Sequence, residues 1–99
     1  MSDENDLTSL RLRVEGFVQS VGYRNFIFEE ATRLSLDGWV RNRADGTVEA
    51  LLAGETAAID AMIAACRRGS AYSIVSSVAE IPGRPTDPGA GFRVLPTER

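Results

Sequence analysis

Apolar and charged residues alternate from Leu10 to Glu15: Leu10, Leu12 and Val14 fall on one face of an extended chain, Arg11, Arg13 and Glu15 on the other. That period of two predicts a half-buried strand. The pattern breaks at Gly16-Phe17-Val18-Gln19-Ser20-Val21-Gly22, which reads as a loop with a glycine at each end. From Tyr23 to Leu34, Tyr23, Ile27, Ala31 and Leu34 recur on one helical stripe, as an amphipathic helix requires. Asp37-Gly38 predicts a turn, and Trp39 to Arg43 a short aromatic and β-branched strand. Asp45-Gly46 predicts a tight hairpin with positive φ at both central positions, returning through a strand from Thr47 to Ala53 that Gly54 ends. From Glu55 to Arg68, Ile59, Met62, Ile63 and Cys66 repeat at i, i+3, i+4, i+7, with Thr56 as the expected cap and Arg67-Arg68 complementing the negative end of the helix dipole. Gly69 stops that helix. Tyr72 to Ile81 reads as a strand, Pro82 to Gly91 as a loop, and Phe92 to Leu95 as a short closing strand.

The order strand, helix, strand, strand, helix, strand is the βαββαβ, split βαβ arrangement of the ferredoxin-like α+β sandwich, here with a fifth strand added. Two helices should cover one face of a five-stranded, mostly antiparallel sheet. A chain of 99 residues is one domain, with a modest core and a shallow site. The acidic residues 1–6 are expected to form a disordered tail, leaving 7–99 as the domain.

Composition narrows the function. Apolar residues make up 43% and charged residues 25%, as in ordinary globular proteins. No apolar run approaches the roughly 20 residues that span a bilayer, and no signal pattern opens the chain. A cytoplasmic monomer without membrane contact is the expectation. The net charge of −3 has the wrong sign for binding nucleic acid through its phosphates. One cysteine and no histidine exclude an internal disulfide, a cysteine-rich zinc site and the imidazole-dependent nucleophilic triads. No metal or cofactor is called for. All eleven basic residues are arginine, whose planar fork grips phosphate or carboxylate at two points.

The candidate chemistry lies at the loop from Gly16 to Gly22. A helix N-terminus leaves backbone N–H groups without partners, and glycines let such groups converge around an anion. Arg24 falls in the first helical turn, where the dipole disfavours a cation by roughly 0.3–1 kcal/mol. A bound phosphate would offset that; a surface arginine after a glycine turn is the plainer alternative. Asn42 shares a strand face with Val40 and either begins the hairpin turn or orients a water through its amide. Cys66, Trp39 and Tyr72 are expected to pack rather than react, and Glu29-Glu30 to form a solvated face.

Val14-Glu15-Gly16-Phe17-Val18-Gln19-Ser20-Val21-Gly22-Tyr23-Arg24 resembles the first signature of the acylphosphatases, which ends in a phosphate-binding arginine. Gly38-Trp39-Val40-Arg41-Asn42, followed by Gly46, Val48 and Gly54, resembles the second. The resemblance spans roughly Leu7 to Leu95 and implies the same sandwich. It implies metal-independent hydrolysis of the carboxyl–phosphate anhydride of a small acyl phosphate. The main chain of Gly16, Phe17, Val18, Gln19, Ser20, Val21, Gly22 and Tyr23, with the Arg24 side chain, would bind the phosphate, inorganic phosphate or another anion. Asn42 would place the attacking water. Three positions depart from the family pattern: Ser20 and Ser35 stand where glycine is usual, and Tyr23 where phenylalanine or methionine is. A serine held at positive φ in the loop motivates the alternative, a catalytically weakened phosphate-sensing or protein-binding module.

Overall fold

The computed structural model describes residues 7–98; the expected tail, 1–6, lies outside the described residues. Five strands, β1 (Leu7–Phe17), β2 (Asp37–Asn42), β3 (Val48–Glu55), β4 (Ile74–Ile81) and β5 (Phe92–Val94), and two helices, α1 (Tyr23–Arg33) and α2 (Thr56–Arg68), follow the predicted order. The sheet runs β4-β1-β3-β2-β5, antiparallel throughout except where β5 lies parallel to β2.

Strand alternation explains the layering. Leu12 and Val14 of β1, Val40 of β2, and Val48, Ala50 and Leu52 of β3 face the helices and join Ile27, Ala31, Ile59, Met62, Ala65 and Cys66 in one core. Central β3 is buried on both faces, so its sequence reads as a continuous run rather than an alternation. On the face away from the helices, Leu51 lies between its cross-strand partners Arg11 and Trp39, and the Arg41 guanidinium sits 4.7 Å over the Trp39 ring. The two helices are also joined by a hydrogen bond, as Tyr23 Oη donates to Cys66 O at 2.9 Å. Burial pushes the Cys66 thiol up to about 12, which leaves it a protonated core residue, as expected.

Several local expectations need correction. Asp37-Gly38 is the start of β2 rather than a turn, because Asp37 pairs with Ala53 and Gly38 with Leu52. The hairpin has three loop residues, not two. Gly46 N donates to Arg43 O, Arg43 N donates to Thr47 O, and Gly46 alone in the turn has positive φ, 93°; this is a type I turn closed by a left-handed glycine. Glu55, in extended geometry, precedes α2 as its N-cap, and Thr56 is the first helical residue. Tyr72 is 80% exposed in the turn before β4, so it is no packing residue.

Candidate active site

The site forms where β1 hands the chain to α1. Gly16 and Phe17 belong to the paired end of β1, opposite Val75 and Ile74, and a register shift at Glu15/Gly16 bends the strand there. A Cβ on Gly16 would collide with the backbone carbonyl of Ile74, so glycine is required by the close approach of β4. The true loop is Val18 to Gly22. Val18 is buried and anchors it in the core. Ser20 takes φ 63°, and Gly22 caps α1 in left-handed geometry at φ 79°, ψ 13°. A serine therefore adopts the conformation that glycine would give the loop, at a strain of order 1 kcal/mol.

Val18, Ser20, Gly22, Tyr23, Arg24, Asn25, Asn42 and Val94 line a cavity of about 380 Å³. The structure thus brings together Arg24 and Asn42, which are 18 positions apart in sequence and lie on different elements. Phe17 is directed to the surface, 58% exposed. Gln19 sends its side chain to the β2–β3 hairpin. Tyr23 is fully buried, its hydroxyl committed to α2.

The Arg24 guanidinium is steadied by a neutral acceptor: Nη1 donates to Leu95 O at 3.1 Å. Leu95 N in turn donates to Val40 O at 2.9 Å, which ties the segment after β5 to β2. Among the described residues no carboxylate pairs with Arg24, so its charge is not neutralised within the fold. Asn42 is 8% exposed, and its Oδ1 is buried with no hydrogen-bond partner among the described residues. Such a group is rare and asks for an explanation. An amide oxygen of this kind can accept a hydrogen bond from a water or a ligand that reaches it. The cavity therefore brings a cation, Arg24, beside a nearly buried amide, Asn42. Sequence reasoning missed four parts of this arrangement: Asn25 and Val94 in the lining, the Leu95 carbonyl behind Arg24, and the side-chain role of Gln19. None carries a local signal, since each depends on a contact made by folding.

Fold and cavity together define a ferredoxin-like sandwich with a cavity at the first loop–helix junction, lined by Arg24 and Asn42. A family model described as acylphosphatase matches residues 10–94. The chain is 46% identical to an acylphosphatase of Rhizorhabdus wittichii, over 97% of this chain and 96% of that protein. It is 47% identical to an acylphosphatase of Rhodopseudomonas palustris, over 88% and 93% respectively. Among solved structures, acylphosphatase from Bacillus subtilis superposes with a TM-score of 0.82 at 36% identity, covering 90% of this chain and 98% of that one. An acylphosphatase from Coxiella burnetii gives 0.83 at 30% identity, covering 96% and 99%. The chain belongs to the acylphosphatase family, and its enzyme class is that of an acylphosphatase hydrolase.

Proposed function

We propose that the chain hydrolyses small acyl phosphates at this cavity, with Arg24 and the main-chain N–H groups of residues 16–23 holding the phosphate and Asn42 placing the water. The observation that carries the proposal is the meeting, in the lining of one cavity, of the Arg24 guanidinium, which has no carboxylate partner among the described residues, with the nearly buried amide of Asn42. The water oxygen bonds to phosphorus as the bond from phosphorus to the acyl oxygen breaks. That electron pair leaves on the carboxylate, and the water's proton passes to a phosphate oxygen. A carboxylate is a stable leaving group and needs no protonation, so a chain without histidine loses nothing by lacking a general acid. What the reaction does need is charge stabilisation and alignment, which Arg24 and the loop amides on one side and Asn42 on the other can supply. No step draws on a metal. The small cavity suits a small substrate, and we place the enzyme in the cytoplasm as a monomer.

Hydrolysis of benzoyl phosphate, followed by absorbance, and binding of inorganic phosphate, followed by calorimetry, test these roles. Arg24→Ala should lose phosphate binding and nearly all turnover. Asn42→Ala should fold and bind phosphate but lose about 100-fold or more in kcat. A chelator should leave the rate of the parent unchanged. Unaltered turnover in either variant would reject the assignment, and abolition by chelator would reject the metal-free chemistry.

A further inference from the structure

Gln19 lies in the middle of the loop, yet its side chain is spent elsewhere. Nε2 stands 2.8 Å from Arg43 O and 2.8 Å from Thr47 O. A carboxamide nitrogen carries two N–H donors, and both are in use; two facing carbonyls also fix which end of the amide is the nitrogen. These carbonyls form the neck of the β2–β3 hairpin, already closed by Arg43 N to Thr47 O at 2.9 Å and Gly46 N to Arg43 O at 3.1 Å. Asn42 is the residue immediately before that neck. Its own carbonyl accepts from Glu98 N at 2.9 Å, and the adjoining Arg43 guanidinium is held by Glu49 at 2.7 Å and Glu98 at 3.0 Å. The hairpin end that carries Asn42 is therefore firmly fixed, and Gln19 is the loop side chain that grips it.

The geometry points to Gln19 as a positioning residue that sets the spacing between the phosphate-holding loop and Asn42. This inference rests on the roles proposed above for Arg24 and Asn42. The loop and Arg24 are consecutive in the chain, so a phosphate they hold moves with them, whereas the water belongs to the strand end bearing Asn42. Attack requires the two reacting atoms within about 3.5 Å and in line, and a misplacement of about 1 Å can lower the rate about 100-fold. A second link runs from Arg24 through Leu95 to Val40. Loss of the Gln19 bonds thus loosens the loop without detaching it, so that binding of phosphate survives while alignment with the water suffers.

Gln19→Met keeps the length and removes both donors; Gln19→Glu keeps the shape and places acceptor oxygens against the two carbonyls. Each is made in the parent and in Asn42→Ala, with circular dichroism to confirm folding. In the parent, kcat for benzoyl phosphate should fall about 10- to 100-fold, while the Kd for inorganic phosphate changes less than about threefold. In Asn42→Ala the same substitutions should change kcat by less than about threefold, because the water they help align is no longer held. Unchanged kcat in the parent, or an equal loss in both backgrounds, would overturn the inference. Should Gln19→Met fail to fold, Gln19→Glu carries the comparison. Full activity of Asn42→Ala alone would overturn the reading of Asn42 and the inference with it, and that single variant tells this failure apart from a failure of Gln19.

Discussion

Ser35 ends α1 in a left-handed conformation, φ 59°. Leu36 N donates to Ala31 O and Ser35 N to Thr32 O, at 2.9 and 3.0 Å, which is the Schellman closure that glycine usually makes. Ser20 stands at φ 63° in the loop before α1. An L-residue in this region is strained by about 1–2 kcal/mol, while glycine returns about 0.4–1 kcal/mol of that through the larger entropy of its unfolded chain. Ser35→Gly should therefore stabilise the protein by about 0.5 kcal/mol and raise Tm by about 2–4 °C. Ser20→Gly should give a similar gain in denaturant titration. Because serine already holds the backbone where glycine would place it, the loop amides keep their directions, and kcat should stay within about threefold of the parent. A much larger gain in rate would mean that the serine side chain obstructs the site, and would favour the weakened-module alternative.

At the scale of elements, the β2–β3 pair carries Asn42 at the end of β2, and its closeness depends on Gly38. A Cβ there would collide with the backbone carbonyl of Leu51, and the residue's φ of 132° is one that side chains rarely adopt. Gly38→Ala should thus cost about 3 kcal/mol or more, through backbone strain and separation of the two strands. Thermal unfolding should show a Tm lowered by 10 °C or more, on the order expected for a domain of this size; a Tm within two degrees would contradict the close packing described. The glycine was visible in the sequence, but its meaning was not: Asp37-Gly38 has the composition of a turn, and only pairing to β3 makes it the start of a strand. The helices were legible, because their apolar stripes repeat within a few residues. So were Arg24 and Asn42, through the two motifs that frame them. Gln19 could not be read as a clamp, since its acceptors are backbone carbonyls 24 and 28 positions away and carry no side-chain signature. Tyr72 misled because a tyrosine beside a β-branched run looks like strand, although the chain is still turning there.

Across the whole molecule, the face of the sheet opposite the helices is organised by one buried carboxylate. Glu49 of β3 is fully buried and meets Arg11 of β1 at 2.9 Å, Arg41 of β2 at 3.0 Å and Arg43 at 2.7 Å. Glu98 joins Arg41 at 3.5 Å and Arg43 at 3.0 Å, so the cluster binds three strands and the C-terminal segment and reaches the hairpin that Gln19 grips. It also commits these arginines to carboxylate partners. Burial by itself would raise the Glu49 carboxyl, but the hydrogen bonds and charges of Arg43 and Arg41 together outweigh it and hold the group below the ordinary carboxylate range. A carboxyl lowered in the folded state stabilises fully above its unfolded value, and that contribution is lost as pH falls through the lowered folded value. Glu49→Gln leaves three arginines without their common partner. At pH 7 it should lower stability by about 2–4 kcal/mol, the usual loss for breaking a buried pair reduced for the partly exposed arginines. As pH falls through the lowered folded value, the parent protonates Glu49 and loses the same ion pairs, so the gap between the two proteins should narrow. Urea titrations at several pH values measure it directly; a gap that stays constant from neutral to acid would mean that the Glu49 charge is not what holds this face together.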